Sequence, residues 1–191
     1  MIPTVKECYL FMDQYKMLEN IRHHSIVVEK VARLIAHGLI RAGIPLSIEL
    51  VTAGSLMHDI AKTICIKEGC DHSLVGEEIC LKNQLDEIAD LVGEHVRLKH
   101  FEPEGVILEK EIIYYADKRV NHDQIVTIEE RLKDLFVRYG KGDVALEKRM
   151  EKNFKICQRV EQKLFAKLPF RPSDIPDLLE RDIQEKNLDK L

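Results

Sequence analysis

The sequence predicts an all-α protein, and three observations carry that expectation. Apolar residues recur at spacings of three and four through nearly every segment, the signature of one buried helix face. No stretch keeps a convincing period of two, as a half-buried strand would. Capping residues and glycine or proline stops fall at the ends of the periodic segments. At 191 residues the chain suits a single domain, 1–191, which at this length buries about 70% of its unfolded surface and is large enough to hold a cleft.

The elements follow in order. Thr4 and Glu7, after Pro3, form a capping box that opens a first helix with Val5, Cys8, Tyr9, Met12 and Tyr15 on its apolar face. A break near Glu19-Asn20 separates this N-terminal piece (1–19) from a second helix, about Ile21 to Arg41, with Val27, Val28, Val31, Leu34, Ile35 and Leu39 inward. Gly43 and Pro45 end it, and Ser47 caps a third helix expected to carry His58 and Asp59. The loop from Lys67 to Asp71 leads to a helix from His72 to about Lys82, then one from Asp86 to Val96. Pro103 and Gly105 precede the helix bearing Asp117, and a further helix is expected from about Gln124 to Tyr139.

The run Gly140-Lys141-Gly142-Asp143 is the best candidate boundary, dividing a core (20–139) from a C-terminal helical extension (140–191). A long helix from Val144 to Lys167 carries Met150, Phe154, Cys157, Leu164 and Leu168 on a narrow stripe. That stripe suits docking on the core better than pairing with a second subunit, although a homodimer through the C-terminal helices is the alternative. Pro169, Pro172 and Pro176 punctuate the start of a last amphipathic helix containing Leu178, Leu179 and Ile183.

Composition excludes several function classes. The 29 Lys and Arg against 33 Asp and Glu leave a net charge of −4, which argues against general nucleic-acid binding because no overall positive field would draw a polyanion in. No apolar run approaches the roughly 20 residues of a membrane-spanning helix, and no signal peptide is legible, so a cytoplasmic protein is expected. The five cysteines, Cys8, Cys65, Cys70, Cys80 and Cys157, form no CxxC pair and are expected to be reduced thiols of the core.

His58 and Asp59 stand inside the apolar segment Ser55 to Lys62, where an ionised side chain is costly unless something binds it. Asp117 has Ile113, Tyr114 and Val120 as its helical neighbours, and His24 shares a face with Val27, Val28 and Val31. A divalent cation would keep such carboxylates ionised and supply their counter-charge. Successive helical residues are about 100° apart, so His58 and Asp59 would flank a cation, with His24 and Asp117 completing a His2Asp2 set. Gly54, one turn before His58, would let a helix or a substrate approach closely. Any one of these residues alone reads more simply as a hydrogen-bonded core residue, but four on inward stripes reverse that reading. His23, His37, His100 and His122 are expected at the surface.

The ordered pattern resembles the HD-domain metal-dependent phosphohydrolases, through Asn20-Ile21-Arg22-His23-His24-Ser25, Gly54-Ser55-Leu56-Met57-His58-Asp59-Ile60-Ala61-Lys62 and Tyr114-Tyr115-Ala116-Asp117-Lys118-Arg119. The resemblance implies a compact HD-type helical bundle in which His24, His58, Asp59 and Asp117 bind the principal metal. His72, in a segment that looks like the HxxxG of binuclear members, and His95, where those members place another ligand, imply a second metal bridged by Asp59. Apart from His23-His24 the chain has no His-His pair, and it has no GYP motif after one as the cyclic-dinucleotide phosphodiesterases do, which points away from that substrate.

A bound divalent transition metal, iron or manganese favoured and zinc, cobalt or nickel also suited to these donors, would lower the pKa of a water to near 7 and polarise a phosphoryl group. Asp59 is expected to orient the water or accept its proton and Lys62 to contact the phosphate, with Arg119 a weaker candidate that reads slightly better as a surface salt-bridge partner. The expected activity is therefore hydrolysis of a nucleotide or similar small phosphorylated metabolite. Two alternatives share the site: a di-iron oxygenase, and a non-catalytic nucleotide-sensing module.

Overall fold

The structure is a computed structural model that describes the backbone of residues 1–188 and side chains through Arg181. Ile183 of the expected final amphipathic face therefore lies outside the described side chains. Helix α1 (Val5–Gln14) begins at the Thr4/Glu7 capping box, and α2 (Glu19–Arg41) buries Val28, Val31, Ile35 and Leu39, with Val27 and Leu34 partly covered. Ser47 caps α3 (Ile48–Met57) by accepting from the Leu50 N–H at 3.1 Å. His58 and Asp59 do not continue α3 as expected. The chain leaves the helix at His58 through three-residue turns, Ile60 N–H to Met57 O and Lys62 N–H to Asp59 O, both 2.9 Å, before α4 (Lys62–Glu68).

Helix α5 (His72–Lys82) is capped by Asp71, whose carboxylate accepts from the Ser73 N–H. Next come α6 (Asp86–Glu94), shorter than expected because His95 ends it, and α7 (Glu109–Lys118). The expected helix from Gln124 starts later: an antiparallel pair, β1 (Val120–Asn121) and β2 (Gln124–Ile125), turns at His122, and Thr127 with Glu130 caps α8 (Ile128–Leu135). A π-helical turn over Phe136–Gly140 leads to α9 (Val144–Phe165), and a short 3₁₀ turn precedes α10 (Ile175–Leu188).

Two apolar clusters form the core. One joins α2, α7 and α9 through Val28, Ile35, Ile112, Tyr115, Phe154 and Cys157. The other joins α1, α3, α5 and α6 through Cys8, Met12, Met57, Cys80 and Ile88. Gly54 acts as expected at a helix crossing: a Cβ there would lie 2.6 Å from Ile113 Cδ1 and 3.0 Å from Leu91 Cδ1, so its absence lets α3 meet α6 and α7. The stripe of α9 is spent on the core, where Phe154, Cys157, Val160 and Leu164 are buried. Polar contacts lock that docking, since Lys163 Nζ reaches Glu111 Oε1 at 2.7 Å and the Tyr115 hydroxyl donates to Glu161 at 2.6 Å.

The cysteine expectation needs correction. Cys8, Cys80 and Cys157 are buried free thiols, but Cys65 and Cys70 form a disulfide. The left-handed turn at Gly69 (φ 73°) folds the chain back after α4 and brings the two sulfurs together, a geometry that their five-residue spacing does not announce. Among the described residues no helix is long and apolar enough to cross a membrane.

Candidate metal centre

The ends of five helices converge on one buried point. α2 brings His24, the turn after α3 brings His58 and Asp59, α5 opens with His72, His95 ends α6, and Asp117 lies in the last turn of α7. All six residues that the sequence nominates as metal ligands are thus gathered. His58 is fully buried, and Asp59 and His95 are each 1% exposed.

The imidazoles are aimed by backbone carbonyls. The Nδ1 atoms of His24, His58 and His95 lie 2.8, 2.7 and 2.6 Å from the carbonyls of His122, Ser55 and Val92. A carbonyl can only accept, so each Nδ1 carries the proton and each Nε2 presents its lone pair inward. That arrangement suits a metal-ligating histidine.

Asp59 divides the cluster in two. Its Oδ2 faces His58 Nε2 at 3.4 Å and His24 Nε2 at 3.9 Å, while its Oδ1 faces His72 Nε2 at 3.2 Å and His95 Nε2 at 3.5 Å. Asp117 Oδ1 joins the first group, 3.1 Å from His24 Nε2 and 3.7 Å from His58 Nε2. Each triad, His24-His58-Asp59 and Asp59-His72-His95, keeps its donor atoms within 4.8 Å of one another. Donors about 2.1 Å from a common cation stand roughly 3.0–3.4 Å apart in octahedral or tetrahedral geometry, close to these spacings. His58 Nε2 and Asp59 Oδ1 are buried without any hydrogen-bond partner, although burying such atoms unpaired is costly. Residues and spacing therefore fit two divalent cations sharing Asp59. Imidazole with carboxylate accepts several first-row metals.

The surrounding charges prepare the same site. Burial pushes the Asp59 carboxyl up, but the Lys62 ammonium, His58 and His72 outweigh it and hold the group well below the usual carboxylate range. For Asp117, burial is likewise outweighed, here by Lys118, His24 and His58. His58 is raised above its ordinary value because Asp59 and Asp117 overcome its burial. His95 drops to about 4, chiefly through burial, and so stays neutral and free to coordinate.

The two candidate catalytic cations part company. Lys62 Nζ donates to Asp59 Oδ2 at 2.7 Å and lines the cavity over the site. Arg119 does not reach it. Its guanidinium is buried on the opposite side, donating to the carbonyls of Val126 and Pro172 and to the Tyr115 hydroxyl. Two residues after Asp117, it is rotated by about 200° around α7, which turns it away from the ligand face. It does not line the cavity as a phosphate contact would; it is a salt-bridge partner, its Nη1 3.6 Å from Glu161 Oε2, but a buried one rather than a surface one. His23, His100 and His122 are exposed as expected, and His37 is half-buried.

Sequence reasoning missed Lys118. Its buried ammonium donates to the His95 carbonyl at 2.7 Å and to Asp117 Oδ2 at 3.3 Å, 3.9 Å from the Tyr114 ring centroid, tying the ligand-bearing ends of α6 and α7 together. Its place beside a buried aspartate was the available signal. Also missed was the His122 carbonyl, which orients His24 although the His122 ring is exposed.

Comparison with known proteins agrees with this geometry. Over 175 residues the chain is 29% identical to a tRNA (cytidine(56)-2'-O)-methyltransferase of Picrophilus torridus, a match covering 83% of this chain and 48% of that protein. The chain thus spans about half of that relative's length. It is 27% identical over 143 residues to an uncharacterized protein of Methanocaldococcus jannaschii, covering 68% of this chain and 83% of that one. No solved structure matches the chain. The HD domain family matches residues 21–121, just over half of the chain and a span that contains all six clustered donors, and the chain accordingly belongs to the HD-domain phosphohydrolase superfamily.

Proposed function

We propose that this protein is a metal-dependent phosphohydrolase that cleaves a phosphoester or phosphoanhydride of a nucleotide or similar small phosphorylated metabolite. The observation that carries this reading is Asp59, whose two carboxylate oxygens each face a separate pair of histidines. Two cations held there, manganese or iron by preference, would make water a usable nucleophile near neutral pH and offset negative charge growing on the phosphoryl group.

The protein's own groups do the rest. His24, His58, His72, His95 and Asp117 would hold the cations, and Asp59, kept ionised, orients the attacking water, whose proton leaves to solvent. The water oxygen forms the new P–O bond as the scissile P–O bond breaks, and the departing oxygen takes up a proton to leave as an alcohol or a shorter phosphate. Lys62, partly exposed to the cavity, supplies positive charge to the phosphate beside Asp59. A cavity of about 640 Å³ gives room for a whole nucleotide. A homodimer would have to form on a surface other than the α9 stripe, which the core already covers.

The test is release of phosphate from a panel of nucleotides by protein loaded with manganese or iron. Release is expected from at least one, and His58→Ala should abolish it. Metal-loaded protein that released no phosphate, but consumed oxygen with an organic substrate, would replace this reading with the oxygenase one.

A further inference from the structure

The cavity over the metal cluster is also lined by residues whose chemistry the cluster does not explain. α8, the π-helical turn and α9 contribute Arg131, Arg138 and Arg149 to its lining. Arg131 is 8% exposed, an unusual burial for a guanidinium. Arg131 and Arg138 share one carboxylate, Asp134, and one neutral amide oxygen, Asn121 Oδ1, at 3.1 and 2.7 Å. Two cations thus face one anion, and the Nε of each is buried with no acceptor. Among the described residues Arg149 has no ion-pair partner at all, and it is exposed on the cavity side of α9.

Three guanidinium groups set against one carboxylate leave excess positive charge at the cavity wall, and its natural complement is an oxyanion taking charge-assisted bonds from their terminal N–H groups. Leu135, Met150 and Phe154 line the same cavity, apolar surface that would face a sugar or base better than a charge. One cavity thus offers metal donors, apolar wall and guanidinium groups together.

We propose that Arg131, Arg138 and Arg149 form a second anion subsite, so that the preferred substrates are nucleotides carrying two phosphate groups on separate positions. One phosphate is hydrolysed at the metal cluster while the other is held by the guanidinium groups. This rests on the phosphohydrolase reading for the chemistry at the metal end. The second phosphate could belong to a free nucleoside bisphosphate or to the next residue of a short oligonucleotide.

The experiment compares kcat/KM of the manganese-loaded protein for AMP, adenosine 3',5'-bisphosphate and the 5'-phosphorylated dinucleotide of adenosine. A preference for at least one two-phosphate compound of about tenfold or more over AMP is expected, as loss of one charge-assisted contact implies. Whichever of the two is preferred identifies the source of the second phosphate. In Arg149→Gln and Arg138→Gln that preference should shrink by about tenfold, mainly through KM. Arg138 also holds Asn121, so its loss could disturb the hairpin, but Arg149 has no such partner and its variant reads the subsite alone. Equal kcat/KM for all three compounds, or a preference unchanged in Arg149→Gln, overturns the proposal. If the protein hydrolyses nothing, the hydrolase reading fails by itself, and calorimetric titration of the same metal-loaded protein decides the subsite. The bisphosphate should then bind about tenfold tighter than AMP in the natural protein and lose that advantage in Arg149→Gln, and equal affinities overturn it.

Discussion

A single carboxylate joins the two halves of the metal centre, and its substitution separates charge from shape. Asp59→Asn keeps the volume of the side chain but removes the anion between the two histidine pairs and turns one acceptor oxygen into a donor. Loss of a partner outside the metal's own ligands costs 10–100-fold in metal affinity or activity, so loss of the shared ligand should exceed about 100-fold. Phosphate-release assays with elemental analysis would check this, the natural protein holding two metals per chain and the variant fewer; full activity in Asp59→Asn would overturn the mechanism. His24, His58, Asp59 and Asp117 were legible from residue type and helical face alone, because each placed an imidazole or a carboxylate where an apolar side chain was due. The Arg119 expectation failed at the same scale: nearness to Asp117 in sequence says nothing about direction when residues are two apart on a helix.

Helix ends decide where the ligands sit, so the caps and crossings between elements carry measurable stability. Thr127 and Glu130 cap α8 reciprocally, and Thr127→Ala should cost about 1 kcal/mol in denaturant unfolding. Hydrogen bonds from Thr127 lower the Glu130 carboxyl below its ordinary value. The sign follows: this contribution is complete above the unfolded pKa and disappears as pH falls through the lower folded one, so Glu130→Gln should weaken the pH dependence of stability on the acid side. Gly54→Ala would drive a methyl against Ile113 and Leu91, with an expected cost of about 1–3 kcal/mol. The disulfide between α4 and the approach to α5 predicts that thiol titration of denatured, unreduced protein finds three thiols, rising to five after reduction. Five thiols before reduction would remove the bond. Periodicity located nearly every helix, but the hairpin at Val120–Ile125 escaped it because two-residue strands are too short to show a period.

For the molecule as a whole, folding and metal binding are one equilibrium, because the six donors lie far apart in sequence and only the packed helices gather them. A metal at about 100 times its Kd adds about 2.7 kcal/mol to the native state, which for a chain of this size raises Tm by roughly 5–10 °C. Chelation followed by thermal unfolding would check it, and an unchanged Tm would argue against a metal bound by the folded state alone. What the sequence determined by itself was the helical class, most element limits and the chemical identity of the donors, since periodicity, caps and residue type act within a few positions of the chain. Only the tertiary structure decided that Asp59 turns one oxygen to each histidine pair, that Arg119 points away, and that arginines from three later elements line the same cavity. Those facts are distances between residues tens of positions apart, and such distances are fixed by how helices pack against one another.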